Sequence, residues 1–104
     1  MKVKDLFVLW LEKYARLGVK TRTYNKYEFI VYTRIIPEFG DFEINQITTT
    51  TLQEFILQLL ENGNIKDNSS LSVNTVLGII SVLKQGCNLA MLLELINKNP
   101  TTAI

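Results

Sequence analysis

Residues 72–91 read SVNTVLGIISVLKQGCNLAM, and this stretch predicts the last and longest helix of the chain. Ser72 precedes the first apolar residue and is expected to cap the helix. The apolar residues that follow have helical spacing and predict one buried stripe: Val73, Val76, Leu77, Ile80, Leu83, Cys87 and Met91. A glycine inside a helix costs about 1 kcal/mol relative to alanine, so Gly78 and Gly86 predict a kink or a close backbone contact.

Two helices are predicted in the first third of the chain. The first runs from about Val3 to Leu17, and Gly18 stops it. Its apolar face consists of Leu6, Phe7, Trp10, Leu11, Tyr14 and Leu17. The second helix begins at Thr21 or Thr23, because either hydroxyl can cap it. Its apolar face consists of Tyr24, Tyr27, Val31 and Ile35.

Pro37 predicts that the second helix ends near Ile35, because proline disfavours the α conformation in the residue before it. A loop should follow, with apolar residues that fold back onto the core: Phe39, Phe42, Ile44 and Ile47. The third helix is expected from its cap at Thr48 to about Glu61. Its apolar face consists of Leu52, Phe55, Ile56, Leu59 and Leu60. Residues 62–70 are polar and predict an exposed loop, with Gly63 placed to terminate the third helix.

The pattern predicts an all-α fold, a small bundle of four main helices. A chain of 104 residues suffices for one domain and is too short for two well-packed ones. We see no signal peptide, and the longest dense apolar run, residues 89–96, is far short of the roughly 20 residues that span a bilayer. A soluble, cytoplasmic protein is therefore expected, and the single cysteine, Cys87, agrees with a reducing compartment.

The residue inventory argues against catalysis by this polypeptide. The chain has no histidine and one cysteine, which excludes the usual zinc sites, a Ser-His-Asp triad and a Cys-His pair. The ten carboxylates are scattered, and the five glycines form no phosphate-binding loop. We therefore expect no enzymatic activity in this chain, no catalytic residue, no metal and no cofactor.

The basic residues are concentrated in one part of the chain. Residues 13–34 contain six lysines and arginines and one acidic residue, Glu28, whereas residues 35–104 contain three basic and seven acidic residues. The net charge of the whole chain is only +1. Such an asymmetry is typical of a protein that binds nucleic acid through one face.

Two helix starts carry the candidate DNA-contacting residues. Lys20, Arg22 and Lys26 surround the start of the second helix, and the hydroxyls of Thr21 and Thr23 lie between them. Free N–H groups at a helix start, together with cations and hydroxyls, suit a phosphate. Lys13, Arg16 and Arg34 are interpreted as solvating charges or peripheral contacts. A merely solvated basic face is the alternative.

The start of the last helix carries a second polar set, with one candidate further along: Ser72, Asn74, Thr75 and Lys84. Small and polar residues at positions 74, 78, 81 and 85 form a face that can lie against a nucleic-acid backbone. Asn74 can also pair with a base edge. The alternative is an ordinary capped helix with a solvated side.

An ordered set of short motifs resembles the N-terminal core-binding domain of phage-type tyrosine recombinases, the integrases of prophages and conjugative transposons. The resemblance extends from about Val3 to Pro100. The motifs are Trp10-Leu11, Thr23 with Tyr27, Ile35-Ile36-Pro37-Glu38-Phe39-Gly40, Ile47-Thr48, Leu71-Ser72 with Thr75-Val76, Ala90, Leu95-Ile96 and Asn99-Pro100.

The resemblance implies a SAM-like orthogonal bundle that clamps one face of a recombination half-site in double-stranded DNA. It implies DNA contacts from the two helix starts described above. It also implies that residues 1–98 are the core-binding domain and that residues 99–104 begin a linker to a separate catalytic domain. We expect the chain to be one domain of a longer integrase, monomeric in isolation, with that domain and neighbouring protomers as its protein partners on DNA. The expected location is the cytoplasm, at the nucleoid.

A helical protein-interaction module with no nucleic-acid role is the second hypothesis. In this interpretation the apolar residues near the end of the chain form a docking surface for another protein. The surface would consist of Leu89, Leu92, Leu93 and Ile96. In a recombinase the same face would pack on the linker, the catalytic domain or a neighbouring protomer.

Overall fold

The computed structural model describes residues 1–62, 71–102 and 104, and these residues form an all-α fold. In chain order the elements are α1 (Val3–Leu9) with a π-helical continuation (Trp10–Ala15), α2 (Thr21–Ile30) with a π-helical continuation (Val31–Ile35), the short α3 (Ile36–Phe39), a 3₁₀ turn (Ile44–Gln46), α4 (Thr49–Asn62) and α5 (Val73–Leu92). The prediction of four main helices is confirmed by α1, α2, α4 and α5. Apart from Asn62, the predicted loop at 62–70 lies outside the described residues.

Most of the predicted helix boundaries are confirmed. The Thr48 hydroxyl accepts a hydrogen bond from the Thr51 N–H at the start of α4, and the Ser72 hydroxyl accepts one from the Thr75 N–H at the start of α5. Gly18 has a positive φ of 79°, which suits glycine at the end of a helix. The predicted threonine cap of the second helix is wrong. Lys20 is the N-cap residue of α2, and no side chain caps this helix.

The π-helical continuation of α2 ends at Ile35, where the second helix was predicted to end, but the predicted reason is wrong, because Ile36 has helical angles (φ −62°, ψ −46°) in front of Pro37. The preceding turn is π-helical, and the Ile36 N–H donates to the carbonyl of Val31, five residues back. Pro37 therefore falls in the first turn of a new helix, α3, where a missing N–H costs little. Helical conformation therefore continues into α3, where the sequence predicted a loop.

The buried face of α5 differs from the predicted stripe. Val76, Leu83 and Cys87 are buried as predicted, but Val73 and Leu77 are 65% and 54% exposed. Met91 is exposed as well, and Ile80 is half-buried. Residues outside the predicted stripe complete the buried face: Ile79, Val82, Gly86, Leu89 and Ala90. The true face is rotated by about 100°, or one residue. Nearly every side of α5 offers an apolar residue, so the helices packed on it determine which side is buried.

α5 is long and apolar enough to cross a membrane by length and composition, with a mean hydropathy of 1.4. In the folded chain, however, 44% of this segment is buried by the rest of the domain. The central helix of a globular core has the same composition, because its apolar surface is covered by protein. We therefore describe α5 as the core helix.

The other apolar predictions are confirmed in part. Leu6, Phe7, Trp10 and Leu11 of the first helix are buried, but Tyr14 and Leu17 are 42% and 73% exposed, and Leu17 lies beyond the end of the helix at Ala15. Phe39 is buried in α3 rather than in a loop, Ile44 is buried in the 3₁₀ turn, and Ile47 is half-buried. Phe42 is 47% exposed, although its ring lies 6.4 Å from that of Phe39.

Gly86 marks a close contact, one of the two outcomes predicted for it. A Cβ atom at this position would lie 2.3 Å from two carbons of the Phe7 ring, far inside van der Waals distance. Gly78 is different, because a Cβ atom there would lie at an ordinary 3.5 Å from the Lys26 side chain. The ring of Phe7 therefore lies directly on the backbone of α5 at Gly86.

The segment after α5 is attached to the helices. The Asn99 amide donates to the Asn88 side chain at 2.8 Å, and the Thr49 hydroxyl donates to the Pro100 carbonyl at 2.9 Å. Thr101 is 2% exposed, and its N–H and hydroxyl both donate to Asn99 Oδ1. Residues 99–101 thus pack on α4 and α5, and the division of the chain between residues 98 and 99 stays a prediction.

We expect Gly86→Ala and Gly78→Ala to change stability in opposite directions. The methyl group at position 86 forces Phe7 to move, and overpacking of this kind costs about 1–3 kcal/mol, which exceeds the gain of about 1 kcal/mol in helix propensity. At position 78 the methyl group fits and only the gain remains. Urea denaturation followed by circular dichroism measures both changes. Equal stabilisation by the two variants would contradict the packing described for Gly86.

Cys87 is expected to be unreactive toward thiol reagents in the folded chain. Burial raises the pKa of its thiol to about 12, so the thiol stays protonated at pH 8, and the thiolate is the reactive form. An unfolded chain has an ordinary cysteine pKa and should react at once in urea, as a control. Since the unfolded state loses this proton first, Cys87 should also lower the stability as the pH rises above about 9. Rapid labelling of the native chain at pH 8 would contradict the burial of Cys87.

Candidate nucleic-acid interface

The two predicted helix starts are neighbours in the structure. Lys26 of α2 lies over Gly78 of α5, and a Cβ atom at Gly78 would be 3.5 Å from both Cε and Nζ of the lysine. The Cδ1 atom of Ile30 is 4.0 Å from the same point. The lysine side chain therefore covers α5 at Gly78 and leaves room there for a methyl group. This contact places a cation of α2 beside the first turns of α5.

A cleft of about 290 Å³ lies between these two helices. Its lining residues are Lys26, Phe29, Ile30, Arg34, Asn74, Thr75 and Ile79. Three of the predicted site residues, Lys26, Asn74 and Thr75, therefore meet in one place. Phe29 and Arg34 line the same cleft, although Phe29 was not predicted as a site residue and Arg34 was interpreted as a solvating charge or a peripheral contact. In the sequence, Phe29 is an aromatic residue outside the predicted apolar stripe of its helix, and this position could have marked it as an exposed candidate.

The polar side chains at the start of α5 differ in what they contact. The hydroxyls of Ser72 and Thr75 hydrogen bond to each other at 2.8 Å, and Ser72 also accepts from the Thr75 N–H at 3.2 Å. These two side chains form the cap of the helix. Within the described part of the chain, the exposed amide of Asn74 has no hydrogen-bond partner. Asn74 is therefore the residue of this set whose donors and acceptor are available to a ligand.

The remaining candidates of α2 extend from the cleft toward the start of the helix. Arg22 is exposed and lies one turn before Lys26, and Thr23 is half-buried three residues before it. Lys20 and Thr21 are exposed at the first turn, where no side chain caps the helix. The N–H groups of this turn and the nearby cations lie on the same helix as Lys26, outside the lining of the cleft.

Lys84 lies away from the cleft. Nine residues, or about two and a half helical turns, separate it from Thr75, so the two side chains lie on opposite sides of α5. Lys84 is exposed. A ligand in the cleft does not reach it directly. Its predicted DNA contact therefore requires a nucleic acid that extends around α5.

Most bases of the segment 13–34 form no ion pair within the described residues. The ion pairs there run from the N-terminal amine to Glu43 and from Lys4 to Asp41, and neither includes Lys13, Arg16, Lys20, Arg22 or Lys26. Arg16 lies 5.4 Å above the Tyr24 ring, a contact that fixes its direction. Burial in the cleft lowers the pKa of the Arg34 guanidinium, which stays charged at neutral pH.

The structure divides the predicted docking surface, because Leu89 and Leu92 line one groove and Ile96 lines another. Leu89 is buried and Ile96 is half-buried, so only Leu92 and Leu93 present exposed surface. Leu92 is 71% exposed and lines a groove of about 320 Å³ together with Trp10, Leu17 and Tyr27. Leu17 at the rim of this groove is 73% exposed. The apolar surface near the end of α5 thus faces the first helix rather than the C-terminal residues.

The chemistry of the cleft is that of a binding site for a polyanion. It brings together cations, an unpaired amide and an apolar floor. In the part of the chain that the structure describes, no three histidine, cysteine or acidic residues are grouped to hold a metal ion. These groups can position a charged polymer.

Comparison with known protein families agrees with this architecture. Residues 2–60 match the model of the family described as phage integrase, N-terminal SAM-like domain. The matched part contains α1 to α4 almost completely, and with them Lys20 to Lys26, but not α5. Comparison with curated proteins and with solved structures gave no significant match. More than half of the chain fits one family model, so the chain belongs to the family of phage integrase N-terminal SAM-like domains.

Proposed function

We propose that this domain binds double-stranded DNA and clamps one face of a recombination half-site for a tyrosine recombinase. The family is associated with recombinases, which supports the general role. The meeting of Lys26 with Asn74 and Thr75 in one cleft is the observation that carries the proposal. Two segments separated by almost 50 residues supply phosphate-binding and base-pairing groups to the same place.

The proposed contacts follow from the geometry of the cleft. Lys26 approaches the phosphates at the cleft, and Arg22, Lys20 and the uncapped first turn of α2 continue along the same strand. Asn74 at the start of α5 reaches a base edge, while Thr21, Thr23, Ser72 and Thr75 contribute polar surface around these groups. Lys84 contacts the backbone further along. Contacts to phosphates set the position of the protein, and contacts to base edges provide sequence preference.

In this proposal the chemical steps belong to another domain of the same recombinase. The parent protein is a tyrosine recombinase that acts on cytoplasmic DNA at the nucleoid, and this domain positions the half-site. The apolar groove with Leu17 and Leu92 at its rim suits contact with the catalytic domain or a neighbouring protomer. A purely protein-binding module is the alternative. It gains less support, because its four-residue docking surface is half buried.

Binding of a fluorescently labelled DNA duplex of mixed sequence should be weak and strongly dependent on salt. A domain that makes three to five phosphate contacts should show a slope of about −3 to −4 in a plot of log K against log salt, with a dissociation constant of roughly 10⁻⁴ to 10⁻⁶ M at physiological salt. Fluorescence anisotropy at several salt concentrations measures both. Binding that is indifferent to salt, or undetectable at hundreds of micromolar protein, would refute the DNA proposal.

Lys26→Glu should weaken binding to every duplex by roughly tenfold and reduce the salt slope by about 1, because it removes a phosphate contact and adds repulsion. Lys98→Glu is the matched control: it makes the same charge change at an exposed position near Asn45 and Glu94, outside the cleft. Glu54→Lys on exposed α4 should also have little effect. Equal losses in the Lys26 and Lys98 variants would mean that net charge, not the cleft, governs binding.

A further inference from the structure

The floor and rim of the cleft are apolar, which a site for phosphates alone does not require. Ile30 and Ile79 are buried beneath it, at 5% and 1% exposure, and Phe29 stands at its edge with 57% of its surface exposed. Phe29 lies three residues after Lys26, one turn along the same helix. An aromatic ring thus adjoins the cation that lies over Gly78.

The opposite wall of the cleft is polar and is formed by the first turn of α5. Thr75 is engaged in the helix cap, whereas the exposed Asn74 amide has no partner among the described residues. The cleft therefore presents a free amide on the α5 side and an apolar ring on the α2 side. The two groups differ in chemistry and occupy opposite walls of one concave site.

One base pair displays this combination in the major groove. An A·T pair presents the N7 acceptor and N6 donor of adenine, which an asparagine amide can bind together, and the C5-methyl group of thymine, which favours apolar contact. A G·C pair presents no methyl group, and its cytosine N4 donor would face the ring without an acceptor. The positive charge of Lys26 favours a polyanion as the ligand of this site.

We propose that the cleft selects an A·T base pair from the major groove, with Asn74 on the adenine edge and Phe29 against the thymine methyl group. The inference rests on the proposed DNA-binding function and extends it to a sequence preference. Lys26 contributes affinity without discrimination. Phe29 and Asn74 contribute discrimination, each toward a different feature of the same base pair.

Three alternating duplex polymers test the inference: poly(dA-dT), poly(dA-dU), which lacks the thymine methyl group, and poly(dG-dC). The full 104-residue chain should prefer poly(dA-dT) to poly(dG-dC) by roughly tenfold. It should prefer poly(dA-dT) to poly(dA-dU) by about fourfold, the value of one buried methyl group. Competition against the labelled mixed-sequence duplex gives these ratios at one salt concentration.

The variants assign each preference to its residue. Phe29→Ala should bind poly(dA-dT) and poly(dA-dU) equally, and Phe29→Leu should retain part of the difference because leucine still contacts the methyl group. Asn74→Ala should lose most of the preference over poly(dG-dC). Lys26→Ala should weaken all three equally and preserve their ratios. Phe29 and Asn74 are exposed, and circular dichroism checks that their variants fold.

The outcomes separate this inference from the proposed function. If all three polymers bind with equal affinity and a steep salt slope, the domain binds DNA but the A·T selection is wrong. If Phe29→Ala keeps the methyl preference, the ring is not the discriminating group, and the inference fails. If no polymer binds in a salt-dependent way, the proposed function and the inference fail together. A preference that survives every cleft variant would point to the shape of the A·T-rich duplex instead.

Discussion

The contact between the Phe7 ring and the backbone of α5 at Gly86 sets the spacing on which the domain depends. Phe7 packs edge-on against Trp10, with ring centroids 6.3 Å apart, and Trp10 lies 5.3 Å from the ring of Tyr27. Tyr27 is the residue after Lys26. A continuous series of aromatic contacts therefore connects α5 through α1 to α2. Each ring is a rigid body with two dihedral angles, so the series fixes the position of α2 more firmly than aliphatic side chains would.

The cleft results from two contacts between the same elements. The ring series reaches α5 at Gly86 and places α2, and about two turns earlier the Lys26 side chain lies over Gly78. The two glycines have different roles. Glycine is required at position 86 because the Phe7 ring leaves no room for a methyl group. Gly78 leaves a space that the Lys26 side chain covers. The site thus depends on packing that extends through the bundle, and the core residues Ile30 and Ile79 form its floor.

The sequence predicted where most helices begin and end, but it did not predict which side of α5 is buried. Caps at Thr48 and Ser72 and the stop at Gly18 depend on a few neighbouring residues, and these predictions were confirmed. The buried side of α5 depends on distant elements, and the stripe was displaced by one residue for that reason. Pro37 shows the same limit. Its effect on Ile36 was overridden by a π-helical turn that only the packed structure contains.

The candidate site was also predicted only in part. Composition and helix starts indicated Lys26, Asn74 and Thr75 separately, and no sequence pattern stated that α2 and α5 would bring them together. Arg34 was set aside because it is remote from the start of its helix, yet the π-helical continuation of α2 extends the cleft to reach it. Phe29 is apolar and exposed, so a search for polar residues passed over it. Sites built from two elements require the tertiary arrangement, whereas the residue types can be anticipated.

Gly78 also bears on how such a domain can acquire a new target. Because Lys26 lies over Gly78, which has no side chain, the neighbouring surface positions of α5 can be exchanged without changing the residue beneath that cation. In the proposed function, affinity for DNA and sequence preference would then depend on different residues. A library of variants at positions 74 and 29 on an unchanged Gly78 and Lys26 framework is accordingly a rational starting point for retargeting.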